Sequence, residues 1–302
     1  MTFSSGGNFE GGRVRQGGSG VRIGGGVGLG GLLLVGLAYV LGGPQIGSIV
    51  SGLVGGGDGG GNQVISGPNG YVGACSAEQA NSDRNCRLSA TVQSLDAFWT
   101  TALPAQAGVR YTLPDVVSFS GSTSTACGAA STESGPFYCP GDQTIYIDVS
   151  FYDLLRSQYG ALGGPLAEEY VVAHEMGHHI ESEIGVLNRA ANDQGADSDS
   201  VKVELMADCL AGLWAGNAAT TVDPDTGVTF LDPITEGELR DALSAAAAVG
   251  DDHIQRQAGY INPESFTHGT SDQRVYWFGV GYSGGTLARC DTFKAKSLDP
   301  PR

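Results

Sequence analysis

The chain has 302 residues, and its 32 acidic side chains outnumber its 16 basic ones to give a formal net charge of −16. This excess of negative charge opposes binding to nucleic acid and to anionic lipid headgroups. The length is sufficient for one folded domain of about 230 residues, which can bury a core without help from a metal, together with an appendage. The sequence shows no internal repeat.

The amino-terminal appendage divides into three parts by composition. Residues 1–23 are rich in Gly and Ser and contain arginines, which indicates a polar head. Residues 24–42 carry no charge and have about the length, 20 residues, that spans a bilayer. Residues 43–70 are crowded with Gly, Ser and Asn, which is typical of a flexible tether. The sequence therefore predicts that residues 71–302 form the main folded domain, which also contains the motif described below.

The uncharged run at 24–42 predicts an uncleaved transmembrane signal anchor. The arginines before it predict a cytoplasmic amino terminus and an extracytoplasmic catalytic domain. A cleaved signal peptide is the alternative, but the leader is long and no A-x-A cleavage site follows the run. Gly26 and Gly30 have the spacing that allows transmembrane helices to pair, yet Gly is too common here for the oligomeric state to be predicted.

Hydrophobic patterns predict a mixture of helices and a few strands in the remaining chain. The predicted helices lie at 88–102, 151–159, from Pro165 through residue 178, 203–214 and 238–257, and the predicted strands at 116–119 and 143–149. The last helix is expected to break or be strained near Gly250. Helices packed on one small sheet make the predicted fold α+β.

The cysteine count supports an exported protein with disulfide bonds. The chain contains six cysteines: Cys75, Cys86, Cys127, Cys139, Cys209 and Cys290. Six cysteines allow 15 connectivities. Sequence order suggests that Cys75 pairs with Cys86 and Cys127 with Cys139, each closing a short loop. This leaves Cys209 to pair with Cys290. The alternative is that some are reduced, with Cys209 a buried free thiol.

The motif HEMGH at positions 174–178 is the most informative feature of the sequence. On a helix, residues four apart lie on one face, so His174 and His178 can bind one tetrahedral Zn²⁺. Glu175 lies about 100° round the helix, where it reaches a metal-bound water rather than the metal. His179 points away from His178 and is expected to pack or to form a hydrogen bond. The pattern predicts a zinc-dependent hydrolase with one zinc per chain.

A catalytic zinc needs a third protein ligand, and the predicted helix at 203–214 carries two carboxylates at the spacing i, i+4. We expect Glu204 to bind the metal. Asp208 is expected to accept a hydrogen bond from the far nitrogen of a zinc-binding histidine. The reverse assignment, with Asp208 as the ligand, is the alternative. The intervening residues 188–200 are predicted to form a loop.

The two halves of this pattern resemble the zincin metallopeptidases of the gluzincin type, in which HExxH is followed by ExxxD. The segments VAHEMGHH at 172–179, ELMADC at 204–209 and THGTSDQR at 267–274 are similar to the bacterial family described as "putative neutral zinc metallopeptidase". The resemblance covers roughly residues 65–295, on motif matches. It implies a zincin-like metallopeptidase domain that hydrolyses bonds in a peptide or protein substrate.

The resemblance also implies roles for residues outside the metal motif. Zinc lowers the pKa of its bound water from about 15.7 to about 7, and Glu175 is expected to act as general base and then as general acid. Related zincins use a histidine or tyrosine from a later loop to stabilise the oxyanion, and His268 is the first candidate. Arg274 and Tyr282 are the other candidates for oxyanion or substrate contacts. A purely structural role is the alternative for His268.

Zincins bind peptides as an added strand at the exposed edge of their sheet. The resemblance therefore implies that the predicted strand at 143–149 is the edge strand of the substrate groove. Its alternating pattern of Ile and Val with polar residues fits this role, but the same pattern fits a central strand.

The sequence thus predicts a membrane-anchored, extracytoplasmic, zinc-dependent endopeptidase. Two alternatives remain. One is a non-catalytic envelope binding protein that zinc stabilises, and the other is a zinc amidase that acts on cell-wall peptides.

Overall fold

The computed structural model describes residues 2–17, 70–190 and 193–301. The α-helices are α1 (Ala77–Ser82), α2 (Arg84–Ala107), α3 (Phe151–Ser157), α4 (Pro165–Glu183), α5 (Asp199–Ala218), α6 (Glu236–Ala248), α7 (Asp251–Gln257) and α8 (Ser271–Tyr282). The strands are β1 (Asn8–Phe9), β2 (Arg15–Gln16), β3 (Cys75–Ser76), β4 (Asp115–Phe119), β5 (Ser122–Thr125), β6 (Gly128–Ser131), β7 (Phe137–Cys139) and β8 (Thr144–Asp148). The described chain is α+β, as the sequence predicts.

The main sheet has the strand order β2-β4-β8-β7. β2 and β4 run parallel to their neighbours, whereas β7 pairs with β8 in the antiparallel sense, with Tyr138 opposite Ile145. The predicted edge strand at 143–149 is β8, which lies inside the sheet and is buried at all five positions. The prediction that this strand forms the edge is therefore wrong, because β7, a strand of three residues, covers it.

Glycines bring the central helices into close contact. A Cβ atom at Gly177 on α4 would lie 2.9 Å from the Cα of Ala207 on α5. A Cβ atom at Gly281 on α8 would lie 1.9 Å from the backbone oxygen of Cys209 on α5. Only residues without a side chain allow such approach. α5 is consequently held between α4 and α8, with most of its residues buried.

The start and end of each central helix follow from local sequence. α4 begins with Pro165 at its first position, where the missing N–H costs no hydrogen bond. Ser198 caps α5 by accepting a hydrogen bond from the N–H of Val201. The predicted helix at 238–257 is broken at Gly250, as expected, into α6 and α7.

Residues 2–17, which we call the strap, pack into the same core as the helices and the main sheet. Phe3, Phe9 and Val14 are at most 1% exposed. β1 pairs with β3, and β2 extends the main sheet beside β4. Residues that share one core lie on the same side of any membrane. The predicted single-pass arrangement, with the amino terminus in the cytoplasm and the catalytic domain outside, is therefore wrong.

The predicted transmembrane helix at 24–42 and the tether at 43–69 lie outside the described residues. Within the described ranges, no helix combines the length and the apolar character needed to cross a bilayer. The fold class is corrected accordingly: the described residues form an α+β domain, and they give no support to the predicted transmembrane helix. The predicted contact with a membrane through residues 24–42 falls outside the described residues.

All three expected disulfide bonds are confirmed. They join Cys75 to Cys86, Cys127 to Cys139 and Cys209 to Cys290, with Cα–Cα distances of 5.7, 5.8 and 5.4 Å. The third bond ties α5, which carries Glu204, to the segment that follows α8. This covalent bond supplements the close contact between α5 and α8 at Gly281.

Candidate metal centre

Two helices bring three metal-binding side chains together. His174 and His178 lie one turn apart on α4, and Glu204 faces them from α5. The Nε2 atom of His174 is 3.2 Å from Oε2 of Glu204, and the Nε2 atom of His178 is 3.6 Å from Oε1. All three side chains are buried, and their ligand atoms lie within 4.8 Å of one another. Two imidazoles and a carboxylate are a donor set that suits zinc.

A carboxylate holds the far nitrogen of each of these histidines. The Nδ1 atom of His174 is 2.9 Å from Oδ1 of Asp208, and the Nδ1 atom of His178 is 2.8 Å from Oε2 of Glu181. With Nδ1 donating, each Nε2 keeps its lone pair for a metal. The contact of Asp208 is the one predicted from its spacing to Glu204. Glu181 was missed, although its position three residues after His178 places it on the same helix face.

Buried negative charge is concentrated around the three candidate ligands. The carboxyl groups of Glu175, Glu181, Glu204 and Asp208 are at most 6% exposed, and Arg274 is the guanidinium that contacts this group. With the four carboxyl groups ionised and the histidines neutral, as metal binding requires, four negative charges face one guanidinium, and such an excess is costly to bury. A divalent cation would offset most of it. The charge of the site therefore fits Zn²⁺ as well as its donor atoms do.

The surroundings shift the pKa values of two of these carboxyl groups in opposite directions. Burial raises the pKa of Glu175 and outweighs the neighbouring histidines. Burial acts in the same direction on Glu204, but the positive charges of His268, His178 and His174 outweigh it and lower the pKa. Glu204 is thus held ionised, as a metal ligand must be, while Glu175 is more easily protonated.

Glu175 lies against the edge strand of the sheet. A hydrogen bond from the backbone of Tyr138 on β7 reaches its carboxylate. The side chain of Tyr138 contacts the same helix, because its hydroxyl lies 3.2 Å from Nδ1 of His179. His179 also hydrogen bonds the carbonyl oxygen of Thr112 at 2.7 Å. His179 therefore fixes the sheet to α4, in agreement with the predicted packing role.

His268 lies in the loop between α7 and α8, where Asp251 holds it. The backbone N–H groups of Thr267, His268 and Gly269 donate to Oδ2 of Asp251 over 2.7, 2.7 and 3.0 Å. The other oxygen of Asp251 is 3.2 Å from Nδ1 of His268. Burial lowers the pKa of His268, but Glu204 and Asp251 outweigh it and raise the pKa. The Nε2 atom is buried without a hydrogen-bond partner in the described part of the chain, so it is available to a ligand.

Comparisons with known proteins agree with this site. A family model described as "Putative neutral zinc metallopeptidase" matches residues 3–293. The chain belongs to this family. An uncharacterized protein of Mycobacterium tuberculosis (strain ATCC 25618 / H37Rv) is 51% identical over 221 residues, which are 72% of this chain and 74% of the relative. The uncharacterized protein YpfJ of Escherichia coli (strain K12) is 43% identical over 193 residues, 62% of this chain and 63% of the relative. No solved structure matches.

Arg274 lies beside the candidate metal ligands in this member of the family, where it pairs with Asp208. It is 3% exposed, and its Nε and Nη2 atoms lie 2.8 and 3.0 Å from the two oxygens of Asp208. The hydroxyl of Tyr170 donates to the same carboxylate at 2.6 Å. Both side chains therefore orient Asp208, and through it His174. A contact of Arg274 with an oxyanion or a substrate stays a prediction. Tyr170 was missed, because nothing in its local sequence distinguishes it from a core tyrosine.

The structure does not bring Tyr282 to the candidate metal centre. It lies eight residues after Arg274 on α8, about 12 Å further along the helix axis. Its ring stacks on Phe278, with the centroids 6.2 Å apart. Its surroundings are those of a packing residue at the α5–α8 contact.

Proposed function

We propose that this chain is a zinc-dependent peptidase that hydrolyses bonds in peptide or protein substrates, with Glu175 as the general base. The observation that carries the proposal is the buried donor set of His174, His178 and Glu204, with Glu175 next to the first ligand on the same helix. When bound, zinc supplies a Lewis acid that activates water at neutral pH and polarises the substrate carbonyl.

The roles of the surrounding residues follow from their contacts. His174, His178 and Glu204 would hold the zinc. Asp208 and Glu181 fix the orientation of the two rings by accepting a hydrogen bond from each Nδ1. Such partners also raise the basicity of the ligand nitrogens.

Glu175 carries the proton in the proposed reaction. Its carboxylate takes a proton from the attacking water and then delivers it to the leaving amine. Burial raises the pKa of this group, which suits a residue that must hold a proton between two steps. His268 contributes its Nε2–H as a donor to the carbonyl oxygen, where negative charge develops. The buried and unpartnered state of this nitrogen within the described residues supports the role.

The substrate is proposed to add to β7. This strand is at the edge of the main sheet, and its residue Tyr138 contacts Glu175 through the backbone. An extended peptide beside β7 would gain main-chain hydrogen bonds without a strong demand on its sequence. The proposed substrate groove therefore lies beside β7, whereas the sequence predicts that it lies beside β8.

The test compares Glu175→Ala with Glu183→Gln, a change in the last turn of the same helix. Metal content and turnover of a fluorogenic peptide library are measured on full-length protein. We expect Glu175→Ala to keep one zinc per chain and to lose about 10²–10⁴-fold in turnover, the range for removal of a general acid–base group. Glu183→Gln should keep both its zinc and its turnover of the peptide library. Full turnover in Glu175→Ala, or zinc-loaded native protein that hydrolyses no peptide, would contradict the proposal.

A further inference from the structure

The strap is held by contacts to distant parts of the chain. The N–H of Ser4 donates to the carbonyl of Phe230 at 3.0 Å, and the N–H of Ala77 donates to the carbonyl of Gly7 at 3.0 Å. Its apolar side chains, Phe3, Phe9 and Val14, are buried in the main core. The strap therefore occupies a groove that the rest of the chain forms, as a bound peptide would.

The strap ends where the described chain resumes. The N–H of Val72 donates to the carbonyl of Val14 at 2.8 Å, and Arg15 forms a β-bridge with Tyr71. A Cβ atom at Gly70 would lie 3.8 Å from the backbone oxygen of Gln16. The chain thus leaves at residue 17 and returns at residue 70 at nearly the same place. Non-covalent contacts alone specify the register of the strap.

One strap side chain reaches a buried carboxylate beneath the metal centre. The Nε atom of Arg13 is 2.6 Å from Oδ2 of Asp96 on α2, and its Nη2 atom donates to the carbonyl of Pro114 at 2.7 Å. Asp96 is only 8% exposed. A buried carboxylate needs such a partner, because an unpaired charge in the core is strongly unfavourable.

Asp96 in turn holds a tyrosine against the metal-binding helix. The hydroxyl of Tyr111 donates to Oδ1 of Asp96 at 2.6 Å, and the same hydroxyl oxygen lies 3.3 Å from Sδ of Met176. The Tyr111 ring meets the His179 ring edge-on, with the centroids 5.8 Å apart. Met176 and His179 flank the motif residues Glu175 and His178 on α4. The contacts therefore run without a break from the strap to the back of the candidate site.

We propose that the strap is a separable docking segment whose bound state positions the metal-binding helix, and that Arg13, Asp96 and Tyr111 are the positioning residues. The surface that receives the strap, to which β3, β4 and Phe230 contribute, is accordingly a peptide-binding surface whose occupant is residues 2–17 of this chain. None of these residues touches the substrate or the metal in the proposed reaction. The activity part of this inference rests on the proposed function, whereas docking and metal retention do not.

The test uses full-length protein with a site-specific protease sequence inserted within residues 55–61, so that cleavage leaves the strap held by contacts alone. Arg13→Ala is compared with Arg15→Ala, which removes the same charge from the same strap without removing the contact to Asp96. Strap retention is measured by gel filtration, zinc release by competition with a chelator, and turnover as separate kcat and KM values.

We expect the cleaved native protein and cleaved Arg15→Ala to keep the strap and their zinc. Cleaved Arg13→Ala should lose the strap, release zinc at least threefold faster and lose kcat with little change in KM. A synthetic peptide of residues 2–17 should restore slow zinc release and kcat in a saturable manner. Loss of the strap with unchanged zinc release, or failure of the peptide to restore it, would overturn the proposal. Absence of hydrolysis in all samples, with the expected effects on zinc release, would instead contradict the proposed function.

Discussion

The contact between α4 and α5 at Gly177 makes zinc binding sensitive to a single methyl group. In Gly177→Ala the new Cβ would lie 2.9 Å from the Cα of Ala207 and 3.0 Å from its backbone oxygen. Carbon atoms in contact normally lie about 3.5–4.0 Å apart, so the two helices must separate by about 0.6–1.1 Å. The ligands are divided between these helices, with two histidines on α4 and Glu204 on α5. Zinc sites tolerate deviations of only about 0.2 Å.

We therefore expect Gly177→Ala to lower zinc affinity at least tenfold, which corresponds to about 1.4 kcal/mol. Alanine is the better helix former by about 1 kcal/mol, so a purely local effect would stabilise the protein instead. The matched control is Gly279→Ala on α8, where a new Cβ meets nothing within 4 Å. This control should bind zinc normally and gain about 1 kcal/mol of stability.

The assay is competition for zinc with a chromophoric chelator, combined with urea unfolding of the metal-free protein. Native zinc affinity in Gly177→Ala would refute the reasoning, because it would show that the ligand geometry does not depend on the separation of these helices. A loss of affinity shared by Gly279→Ala would refute it as well.

Three further predictions concern the supports of the site. Glu181→Gln should weaken zinc binding about 10–100-fold, measured by the same competition; unchanged affinity would show that the ring of His178 needs no carboxylate. Burial opposes ionisation of Asp251, but hydrogen bonds from His268 and the backbone lower its pKa below the unfolded value of about 3.9. The ionised carboxylate therefore stabilises the folded protein above the unfolded pKa, and this stabilisation is lost as the pH falls through the folded pKa. Asp251→Asn should accordingly lose less stability than native protein between pH 5 and 3. Equal losses in the two proteins would contradict this prediction. Replacing Cys209 and Cys290 together by Ser opens a link with a sequence separation of 81 residues and should cost about 4 kcal/mol in urea unfolding, whereas a change below about 1 kcal/mol would contradict the structural role.

The metal centre could be predicted from the sequence because helix geometry is local. Once α4 and α5 are helical, the spacing i, i+4 places His174 beside His178 and Glu204 near Asp208 on the same face. The contact between the two pairs is predicted from the need of zinc for a third ligand, and the close packing of α4 on α5 at Gly177 provides it. The disulfide pairing could be predicted for a similar reason, because two of the three bonds close short loops.

The order of strands could not be predicted, because it depends on pairing between distant segments. The alternation in β8 is compatible with both an edge and a central position, and the short strand β7 that covers it carries little signal of its own. The role of Asp251, which holds the loop that carries His268, could not be predicted for the same reason. Its partners lie 16 to 18 residues further along the chain, in a loop whose shape the carboxylate itself determines.

The strap was misinterpreted because its composition resembles that of a disordered segment. Phe3, Phe9 and Val14 are separated by Gly-rich stretches without helical or strand periodicity. They become core residues only because a groove formed by other parts of the chain receives them. The arginines near the amino terminus were interpreted as a signal for a cytoplasmic amino terminus. In the folded domain, however, Arg13 is paired with Asp96.

The decisive measurement is the zinc content, by mass spectrometry, of full-length native protein and of Glu204→Ala, both purified without added metal. We expect one zinc per chain in the native protein and none in Glu204→Ala, because the two histidines on α4 lack a third ligand without the carboxylate from α5. Absence of zinc from the native protein, or zinc retained in full by Glu204→Ala, would contradict the assignment of His174, His178 and Glu204 as the metal centre.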